Sequence, residues 1–423
     1  MRNMIDSGVE WLGDIPETWD LVQLGSLFSE HKHKNTGMQS ENLLSLSYGN
    51  IIRKDINTSD GLLPESFEGY NVIEEGDIVL RLTDLQNDQR SLRVGLSHER
   101  GIVTSAYVTL RRRNSAINSR FYYYLIHSYD VRKGFYGMGA GVRQGLNYAG
   151  VKRIMLTLPP VDEQENIVSV LDDKTAKVEA LIANVQAQIE KLKGYKQSLI
   201  TEKITMGLIG SVPTKESWVE NQSYVPAHWN YVRGRYVAPV NKSVAMPDED
   251  EYITYAPMEC VRNDSFNPRA IQVKNLSSGL SSFAEGDVLL AKITPCFENG
   301  NVAIANNLIN GVGAGSSELI AFTPIGINAR FFMYYLQNTY FVESGKATIR
   351  GIGGLRRITS DFVENIALYI PDEIEQQEIV DFLDEKCSKI EALISIKQKK
   401  IEKLEQYKKS LIYEYVTGKK EVS

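Results

Sequence analysis

The sequence consists of two diverged copies of one segment, and this repetition constrains the fold more than any other feature. Three short motifs return at a constant offset of 210 residues: IPETW (15–19) as VPAHW (225–229), EGDIVL (75–80) as EGDVLL (285–290), and INSRF (117–121) as INARF (327–331). A longer match lies at an offset of 212 residues, EQENIVSVLDDKTAKVEALI (163–182) with EQQEIVDFLDEKCSKIEALI (375–394). Ordered matches at one long period are typical of duplicated structural units. We therefore expect two similar domains, which also suits a length of 423 residues.

The first part of each copy, residues 1–160 and 208–371, is predicted to form a mixed α/β (α+β) module. Both parts are rich in Gly, Asn, Ser and aromatic residues. Alternating runs such as DIVLRLT, IVTSAYVTL and DVLLAKIT predict short strands. The segments RFYYYLIHS and RFFMYYLQN predict short amphipathic helices with buried aromatic side chains. Two such modules in tandem are expected.

The second part of each copy, residues 161–207 and 372–423, is predicted to be a long helix. Apolar residues recur every seven positions along one line, which we call the seam: Leu171, Val178, Val185, Leu192 and Leu199 in the first copy, and Leu383, Ile390, Leu404 and Leu411 in the second. Lys397 interrupts the second line. Further apolar residues are expected to widen the seam, namely Leu181, Ile182, Ile189, Tyr195, Leu393, Ile394, Ile401 and Tyr407. Heptads sustained over this length predict a coiled coil.

The order of the segments predicts that the two helices run antiparallel. About 44 residues at ~1.5 Å each make a helix on the order of 65 Å long. A module of this size is only about 40 Å across. The second helix begins where the second module ends, close to the end of the first helix, so it can most easily run back along the first.

The charge is unevenly distributed along the chain. The net charge is −6, and residues 1–80 carry five basic and fourteen acidic side chains. Residues 81–153 carry thirteen basic and four acidic side chains, a net charge of +9 in which arginine dominates. Such a stretch could bind a polyanion even though the whole chain is acidic. The alternative is that these are solvated charged loops with no partner.

The composition argues against a membrane protein or a metal protein. No apolar run approaches the roughly 20 residues that span a bilayer, and the first residues lack the apolar stretch of a signal peptide. Cys260, Cys296 and Cys387 are scattered and support neither a disulfide framework nor a zinc site. We expect a cytoplasmic protein with no metal site and no membrane partner.

Catalytic motifs are also missing from the sequence. It contains no GxxxxGK[ST] loop for nucleoside triphosphates, and the glycine-rich GMGAG (137–141) lacks the strand–turn–helix context of a cofactor loop. The five histidines have no metal-ligand spacing that recurs between the copies. The chain is therefore predicted not to be an enzyme and to hold no cofactor.

Four basic residues are candidates for contacts to a polyanion. Arg143 and Arg356 follow matched glycine-rich segments, where exposed backbone could approach a phosphate. Arg81 and Lys292 follow the matched strands, although their alignment requires a slip of one residue. Arginine can bind guanine through two hydrogen bonds or hold phosphates without reading sequence. The alternative for each residue is a structural salt bridge.

The order module–helix–module–helix resembles the specificity subunits of type I restriction–modification systems. The resemblance covers essentially the whole chain and rests on the IPxxW-like openings, GDIVLRLTDLQND, GDVLLAKITPCFENG and the EQxxIVxxLD helices that end in YKxSLI. Its most specific parts are the helices, residues 163–206 and 375–418.

The resemblance implies how such a chain works. Each module would be a target recognition domain, and the pair would bind double-stranded DNA at an asymmetric target of two half-sites with a non-specific spacer. The helices would set the spacer and dock two methyltransferase subunits, which carry S-adenosylmethionine and methylate adenine N6. Two further subunits would supply ATP- and Mg-dependent translocation and cleavage.

Three other hypotheses remain open at this point. The chain could be a coiled-coil scaffold whose modules bind protein instead of DNA. It could be a self-contained methyltransferase or nuclease, although the motifs of both are missing. It could also serve a simpler restriction system with the same architecture.

Overall fold

The computed structural model describes residues 2–57, 64, 66–85, 88, 92–138, 145–240, 242–351 and 356–422. The chain divides into two compact units. Unit 1 consists of residues 1–185 and 399–423, and unit 2 consists of residues 186–398. Each unit contains one module and a part of both long helices, and the predicted boundaries at residues 160, 207 and 371 stay predictions.

In the residues that the structure describes, the module of unit 1 is made of short strands and three short α-helices. Its strands are β1 Met4–Asp6, β2 Asp14–Pro16, β3 Asp20–Gln23, β4 Phe28–Glu30, β5 Leu44–Ser47, β6 Asn50–Arg53, β7 Asn71–Ile73, β8 Ile78–Leu80, β9 Val94–Leu96, β10 Gly101–Val103, β11 Val108–Arg112 and β12 Met155–Leu158. Its helices are α1 Leu24–Leu27, α2 Ser119–Val131 and α3 Tyr148–Val151, and the long helix α4 Val161–Met206 follows.

The central sheet of unit 1 has four antiparallel strands in the order β4-β11-β8-β9. Strand β8 is buried along its whole length, and helix α2 packs its aromatic side chains against the same core. Two-stranded ladders β1–β2, β3–β12, β5–β6 and β7–β10 surround this sheet. The predicted strand in DIVLRLT and the predicted helix in RFYYYLIHS are therefore part of one core.

The module of unit 2 has the same plan with more strands. Its strands are β13 Thr214–Glu216, β14 Tyr224–Pro226, β15 Asn230–Arg233, β16 Tyr252–Ala256, β17 Val261–Arg262, β18 Ser265–Phe266, β19 Arg269–Gln272, β20 Ser281–Ala284, β21 Val288–Ala291, β22 Val302–Ile304, β23 Val312–Gly315, β24 Leu319–Phe322 and β25 Ala367–Ile370. Its helices are α5 Gly234–Val237, α6 Ala329–Gln337, α7 Thr339–Ala347 and α8 Ser360–Glu364, and the long helix α9 Glu373–Val416 follows.

The sheets of unit 2 preserve the centre of the unit 1 module and change its periphery. The order β22-β21-β24 repeats β9-β8-β11, and the ladder β15–β25 repeats β3–β12. A four-stranded sheet in the order β19-β16-β23-β20, with one parallel pair, has no counterpart of equal size among the described residues of unit 1. The prediction of two mixed α/β modules, each followed by a long helix, is confirmed.

The two long helices pair antiparallel within each unit. In unit 1, Leu171 near the start of α4 shares a hydrophobic core with Leu411 and Val416 near the end of α9. In unit 2, Leu199 near the end of α4 shares a core with Leu383 near the start of α9. The start of each helix thus meets the end of the other, and the predicted antiparallel coiled coil is confirmed.

The seam residues differ in how deeply they are buried. Seven are buried: Leu171, Val178, Val185, Leu199, Leu383, Ile390 and Leu411. Leu192 and Leu404 are half-buried. Of the residues expected to widen the seam, Leu181, Tyr195, Leu393 and Tyr407 are instead exposed, with exposed fractions of 48%, 57%, 48% and 52%. The expectation was wrong for these four residues. Heptad spacing shows which face of a helix a residue lies on, but it does not show how much of that face the partner helix covers.

Lys397, which interrupts the seam, is half-buried and donates a hydrogen bond to Gln188 over 2.6 Å. Both residues belong to unit 2. A polar pair in a coiled-coil seam costs some stability but disfavours other registers, in which the ammonium group would face an apolar partner. Lys397 therefore helps to specify the register of α4 and α9.

A recurring set of hydrogen bonds attaches each module to the helix that follows it. In unit 1, the Trp19 indole donates to Glu163 over 2.8 Å. Gln164, which is 1% exposed, accepts from the Asn118 amide and donates to the Pro159 carbonyl, both over 3.0 Å. These bonds explain why the tryptophan, the asparagine and the Glu-Gln pair recur between the copies.

Unit 2 repeats these contacts residue for residue. Trp229 donates to Glu375 over 3.2 Å, and Gln376 accepts from the Asn328 amide over 2.8 Å. Gln376 also donates to the Pro371 carbonyl over 3.0 Å. We call these two sets of contacts the junctions.

Each module also receives the end of the other long helix. Gly418, just after α9, has φ +73°, and a Cβ atom there would lie 2.3 Å from Pro16. Gly207, just after α4, has φ +74° and lies against Trp229 and Glu375. Glycine is suited to both positions because a left-handed backbone ends the helix and no side chain blocks the close approach. No described helix combines the length and apolar character needed to cross a bilayer.

The junction glutamines give a direct test of this attachment. Gln164→Leu and Gln376→Leu should each lower the free energy of unfolding of their own unit by about 1–3 kcal/mol, because each leaves a buried N–H and C=O without partners. Urea unfolding followed by tryptophan fluorescence measures the loss.

The exposed Gln186 on α4 provides the control, since Gln186→Leu should change the stability by less than about 0.5 kcal/mol. Equal effects of the buried and exposed substitutions would contradict the role given to the junctions.

Candidate nucleic-acid interface

Arg81 lies at the start of a loop that leaves the central sheet of unit 1. Its backbone N–H donates to the Arg93 carbonyl over 2.9 Å, which continues the β8–β9 ladder by one residue. Its side chain is 35% exposed and lies 3.7 Å from Asp88. The guanidinium group is therefore positioned at the edge of the module by the sheet and only loosely held by the loop.

The loop after Arg81 is shaped by an arginine that the sequence analysis did not single out. Arg93 is fully buried, and its guanidinium donates to the carbonyls of Thr83 over 2.7 Å and Asp84 over 3.2 Å. It also donates to the Asp88 carbonyl and, over 3.1 Å, to the Tyr136 hydroxyl. A guanidinium can satisfy several carbonyls at once because its five N–H donors diverge in one plane. Arg93 thus fixes the backbone that carries Arg81.

The segment that begins at residue 145 returns to the same edge of the module. The Leu146 amide donates to the Leu82 carbonyl over 2.9 Å. Leu82 directly follows Arg81 in the sequence, and Leu146 lies three residues after Arg143. This hydrogen bond therefore joins the chain next to Arg81 to the chain that follows Arg143. Arg143 itself lies outside the described residues, and its match with Arg356 stays a prediction.

In unit 2 the two predicted cations are brought together. The Ile358 amide donates to the Lys292 carbonyl over 3.1 Å, and the Thr294 amide donates to the Arg356 carbonyl over 2.9 Å. Arg356 is exposed and Lys292 is half-buried. Two cations on adjacent extended segments can contact neighbouring phosphates or the edge of a base.

A carboxylate next to this pair limits its positive charge. Arg357 forms a two-pronged ion pair with Glu318, with both contacts at 2.6 Å. The hydrogen bond from Arg357 holds the pKa of Glu318 below its usual range, and the charge of Lys292 lowers it further. Glu318 is therefore ionised at neutral pH, so Arg356 carries most of the accessible positive charge of this edge.

The ladders do not support the alignment of Arg81 with Lys292. Arg81 lies opposite Arg93 in unit 1, and Ala291 lies opposite Asn301 in unit 2. The position equivalent to Arg81 is therefore Ala291, while Lys292 corresponds to the buried Leu82. Neighbouring residues of a strand point to opposite faces of the sheet. Arg81 and Lys292, which differ by one position in the register, therefore point to opposite faces of equivalent strands.

Many arginines of the basic stretch 81–153 serve the fold of unit 1. Arg111 pairs with the buried Asp77 at 2.6 Å, and Arg120 donates to Asp172 over 2.8 Å. The Arg132 guanidinium lies 4.2 Å from the centre of the Tyr413 ring. The net charge of +9 therefore overstates the cations available to a polyanion, because these three residues and Arg93 are held by contacts within unit 1.

No group of three or more His, Cys, Asp or Glu side chains that could hold a metal ion occurs among the residues that the structure describes. The described part of this surface instead presents exposed and half-exposed cations on backbone held by the sheet. Such an arrangement can bind an extended polyanion without doing chemistry on it.

Comparisons with known proteins agree with the duplicated architecture. The family model described as "Type I restriction modification DNA specificity domain" matches the chain twice, over residues 16–191 and 229–406. The chain is 30% identical over 161 residues to the "Type I restriction enzyme EcoEI specificity subunit" of Escherichia coli. That match covers 37% of this chain and 27% of the relative, so it spans about a quarter of the relative's length.

Other matches extend over nearly the whole chain. The "Type I restriction enzyme MjaVIII specificity subunit" of Methanocaldococcus jannaschii is 23% identical over 432 residues, which cover 96% of this chain and 93% of that protein. A solved structure named "Structural basis underlying complex assembly and conformational transition of the type I R-M system" superposes with a TM-score of 0.68 at 16% identity. It covers 95% of this chain and 98% of the other, and it shows a shared fold.

The buried Asp130, whose carboxylate accepts a hydrogen bond from the Arg93 amide over 2.6 Å, makes the stability of unit 1 depend on pH. Burial raises the pKa of Asp130 from 3.8 to about 6. Between these values the folded state binds the proton more tightly than the unfolded state, so the Asp130 contribution falls as pH rises. Asp130→Asn should gain stability relative to the original protein by on the order of 2 kcal/mol from pH 4 to pH 6, and no further above.

Urea unfolding of both proteins across this pH range measures the difference. Asp173→Asn, at an exposed helix position, is the control and should show no such pH dependence. A constant difference between the Asp130 variant and the original protein would rule out the raised pKa.

Proposed function

The chain belongs to the type I restriction-modification DNA specificity family, and from this premise we propose that it is the specificity subunit of a restriction–modification complex. Each module would read one half of an asymmetric, bipartite DNA target. The observation that carries the proposal is that the family domain occurs twice and that each copy is fixed to a long helix by the same junction. Two reading modules in one chain suit two half-sites separated by a spacer.

The divergence of the modules supports the reading of two different half-sites. The sheet around β8 and β21 and the junctions are alike, whereas the four-stranded sheet that contains β16 belongs to unit 2. Residues that hold a module on its helix must be the same in both copies, but residues that read different bases must differ. We propose that Arg81 and Arg143 contact DNA from the first module, and that Lys292 and Arg356 contact it from the second.

The exposed apolar residues of the long helices support two equivalent docking sites for partner subunits. Leu181 and Leu393 are equivalent at an offset of 212 residues, as are Tyr195 and Tyr407. All four are about half exposed. Leu181 and Tyr407 lie in unit 1, and Tyr195 and Leu393 lie in unit 2. Large apolar side chains on a surface mark contact sites. We therefore propose that the two residues of unit 1 contact one methyltransferase subunit and the two residues of unit 2 contact the other.

The chemistry would then belong to the partners. We propose that this chain is non-catalytic and binds no cofactor, while the two methyltransferase subunits carry S-adenosylmethionine. Two restriction subunits would use ATP and Mg for translocation and cleavage. Such a complex acts on cellular DNA, which would place the chain in the cytoplasm.

The candidate contact residues can be tested in the assembled complex. Arg81→Ala, Arg143→Ala, Lys292→Ala and Arg356→Ala should each weaken DNA binding, by about 1–3 kcal/mol where an arginine binds a base. Loss of a phosphate contact would instead weaken binding to all sequences and reduce the salt slope by about 1. Affinity is measured over a range of salt concentrations with target and unrelated duplexes.

Lys177→Ala removes one exposed positive charge from α4 and is the matched control, with little expected effect. A folded Arg356 variant with unchanged affinity would return that residue to a structural role. If the whole complex bound DNA no better than the methyltransferase alone, the modules would be protein-binding and the chain a scaffold.

The helices are predicted to set the distance between the half-sites. Four residues added to α4 next to Gly207, about one helical turn or ~6 Å, should lengthen the spacer of the target. Base pairs rise about 3.4 Å each, so the spacer should grow by one or two base pairs with both half-sites unchanged.

Sequencing of the methylated sites in host DNA gives the spacer directly. Replacement of residues 20–150 by the module of a relative is the complementary variant, and it should change one half-site without changing the spacer. An insertion that altered the recognised bases and left the spacer constant would refute this division of roles.

A further inference from the structure

An arginine at equivalent positions of the two units has two carboxylate partners in unit 2 and one in unit 1, and a cavity lies beside it in unit 1. In unit 2, Arg330 at the start of α6 lies between two carboxylates. Its Nε donates to Asp384 over 2.9 Å, and its Nη2 donates to Asp264 over 2.7 Å. The guanidinium is therefore saturated by residues of its own unit.

The second carboxylate comes from a tight turn between β17 and β18. Asp264 has φ +58° in this turn, and its backbone N–H donates to the Val302 carbonyl of β22 over 2.9 Å. Its neighbour Asn263 accepts a hydrogen bond from Gln337 of α6 over 2.6 Å. The turn thus supplies one partner to Arg330 and one to Gln337.

Unit 1 has the same elements with a different turn. Arg120 and His127 of α2 occupy the positions of Arg330 and Gln337, at an offset of 210 residues. The hairpin β5–β6 lies against β9 as β17–β18 lies against β22, and its turn is Tyr48–Gly49. Gly49 has φ +83° and lies beside the Val94 carbonyl, so it stands where Asp264 stands in unit 2.

The exchange of aspartate for glycine leaves Arg120 with one carboxylate. Its Nε donates to Asp172 over 2.8 Å, the counterpart of the Arg330–Asp384 bond. The described residues provide no second carboxylate to Arg120. The side chain of Arg120 is 46% exposed, against 29% for Arg330.

A cavity of about 350 Å³ occupies the space that the turn leaves open. Its wall includes Tyr48, Gly49, Arg120, His127, Asp172 and Lys408. The Nδ1 atom of His127 is inaccessible to solvent and has no hydrogen-bond partner among the described residues. Burial lowers the pKa of His127 to about 4, so its imidazole is neutral at pH 7 and can offer a donor or an acceptor. The volume lies in the range of small-molecule sites.

We propose that this cavity binds a small carboxylate, which pairs with Arg120 in the position that the Asp264 side chain takes in unit 2. A second polar group of the ligand would meet His127, as Asn263 meets Gln337. A planar carboxylate matches the two-pronged donor geometry of a guanidinium. The proposal is independent of the proposed function.

The charge of the wall favours a singly charged carboxylate over a phosphate. In unit 2 two cations, Arg330 and Lys196, face three carboxylates, those of Asp264, Asp384 and Glu391. In unit 1 Arg120 and Lys408 face Asp172 and Glu179. The other titratable groups of the wall are His98, His127 and the phenols of Tyr48, Tyr123 and Tyr124. One bound carboxylate would give unit 1 the two cations and three carboxylates that unit 2 has. A doubly charged phosphate would add repulsion from Asp172 and Glu179.

Thermal unfolding of the full chain in sodium acetate, against sodium chloride at equal ionic strength, tests the site. Acetate should raise the Tm of unit 1 by about 1–3 °C in a saturable way. Arg120→Lys keeps the charge but removes the two-pronged donor, and it should abolish the response. Gly49→Asp should place a carboxylate of the protein itself in the site, so this variant should also abolish the response to acetate.

The reciprocal variant in unit 2 is the matched control. Asp264→Gly should lower the Tm of unit 2, and acetate should restore part of the loss, because it opens the same site there. A Cβ atom at Gly49 would lie 3.2 Å from Leu92, so if Gly49→Asp does not fold, Arg120→Lys carries the test.

Three results would overturn the proposal. The first is an acetate response equal to that of chloride in the original protein. The second is a response that survives Arg120→Lys. The third is an equal response to inorganic phosphate, which would remove the assignment to a carboxylate.

Discussion

The structure depends on the contact between a module and the first turn of its helix. A helix of more than forty residues has little stability by itself beyond its apolar seam, and a module of short strands has no long element to orient it. The buried glutamine at each junction joins them, because Gln164 and Gln376 each satisfy one amide and one carbonyl of the module. The neighbouring glutamate binds the tryptophan indole of the module. These bonds tie each module directly to the first turn of the helix that follows it.

The fold was predictable to the extent that its determinants are periodic. The repeat predicted two modules, and the heptads predicted the helices and, with chain length, their direction. Leu181 and Tyr407 were misplaced because spacing describes a single helix, whereas burial depends on the partner helix. Arg93 was missed for a related reason. Its identity suggests a surface residue, and only the convergence of the carbonyls of Thr83 and Asp84 makes burial favourable.

The candidate contact surface was predictable only in part. The sequence located the strand ends that carry Arg81 and Lys292, but the ladder register separates these residues, and no periodic signal reports a register. Net charge was a coarser guide still. An arginine that pairs with Asp77 or lies on the Tyr413 ring counts toward the charge of a segment, yet it is already held by a contact within unit 1. The net charge of a segment indicates binding only after the side chains that already pair within the protein have been subtracted.

The last turn of each long helix is received by the module of the other copy, beside Trp19 in unit 1 and beside Trp229 in unit 2. A polypeptide with one copy would have a helix end without a receiver and a module without its closing turn, and two such polypeptides could satisfy each other as a symmetric dimer. Identical subunits, however, must carry identical readers. Covalent fusion of the copies removes this restriction, so each module is free to evolve its own preference while the shared helices keep both in place.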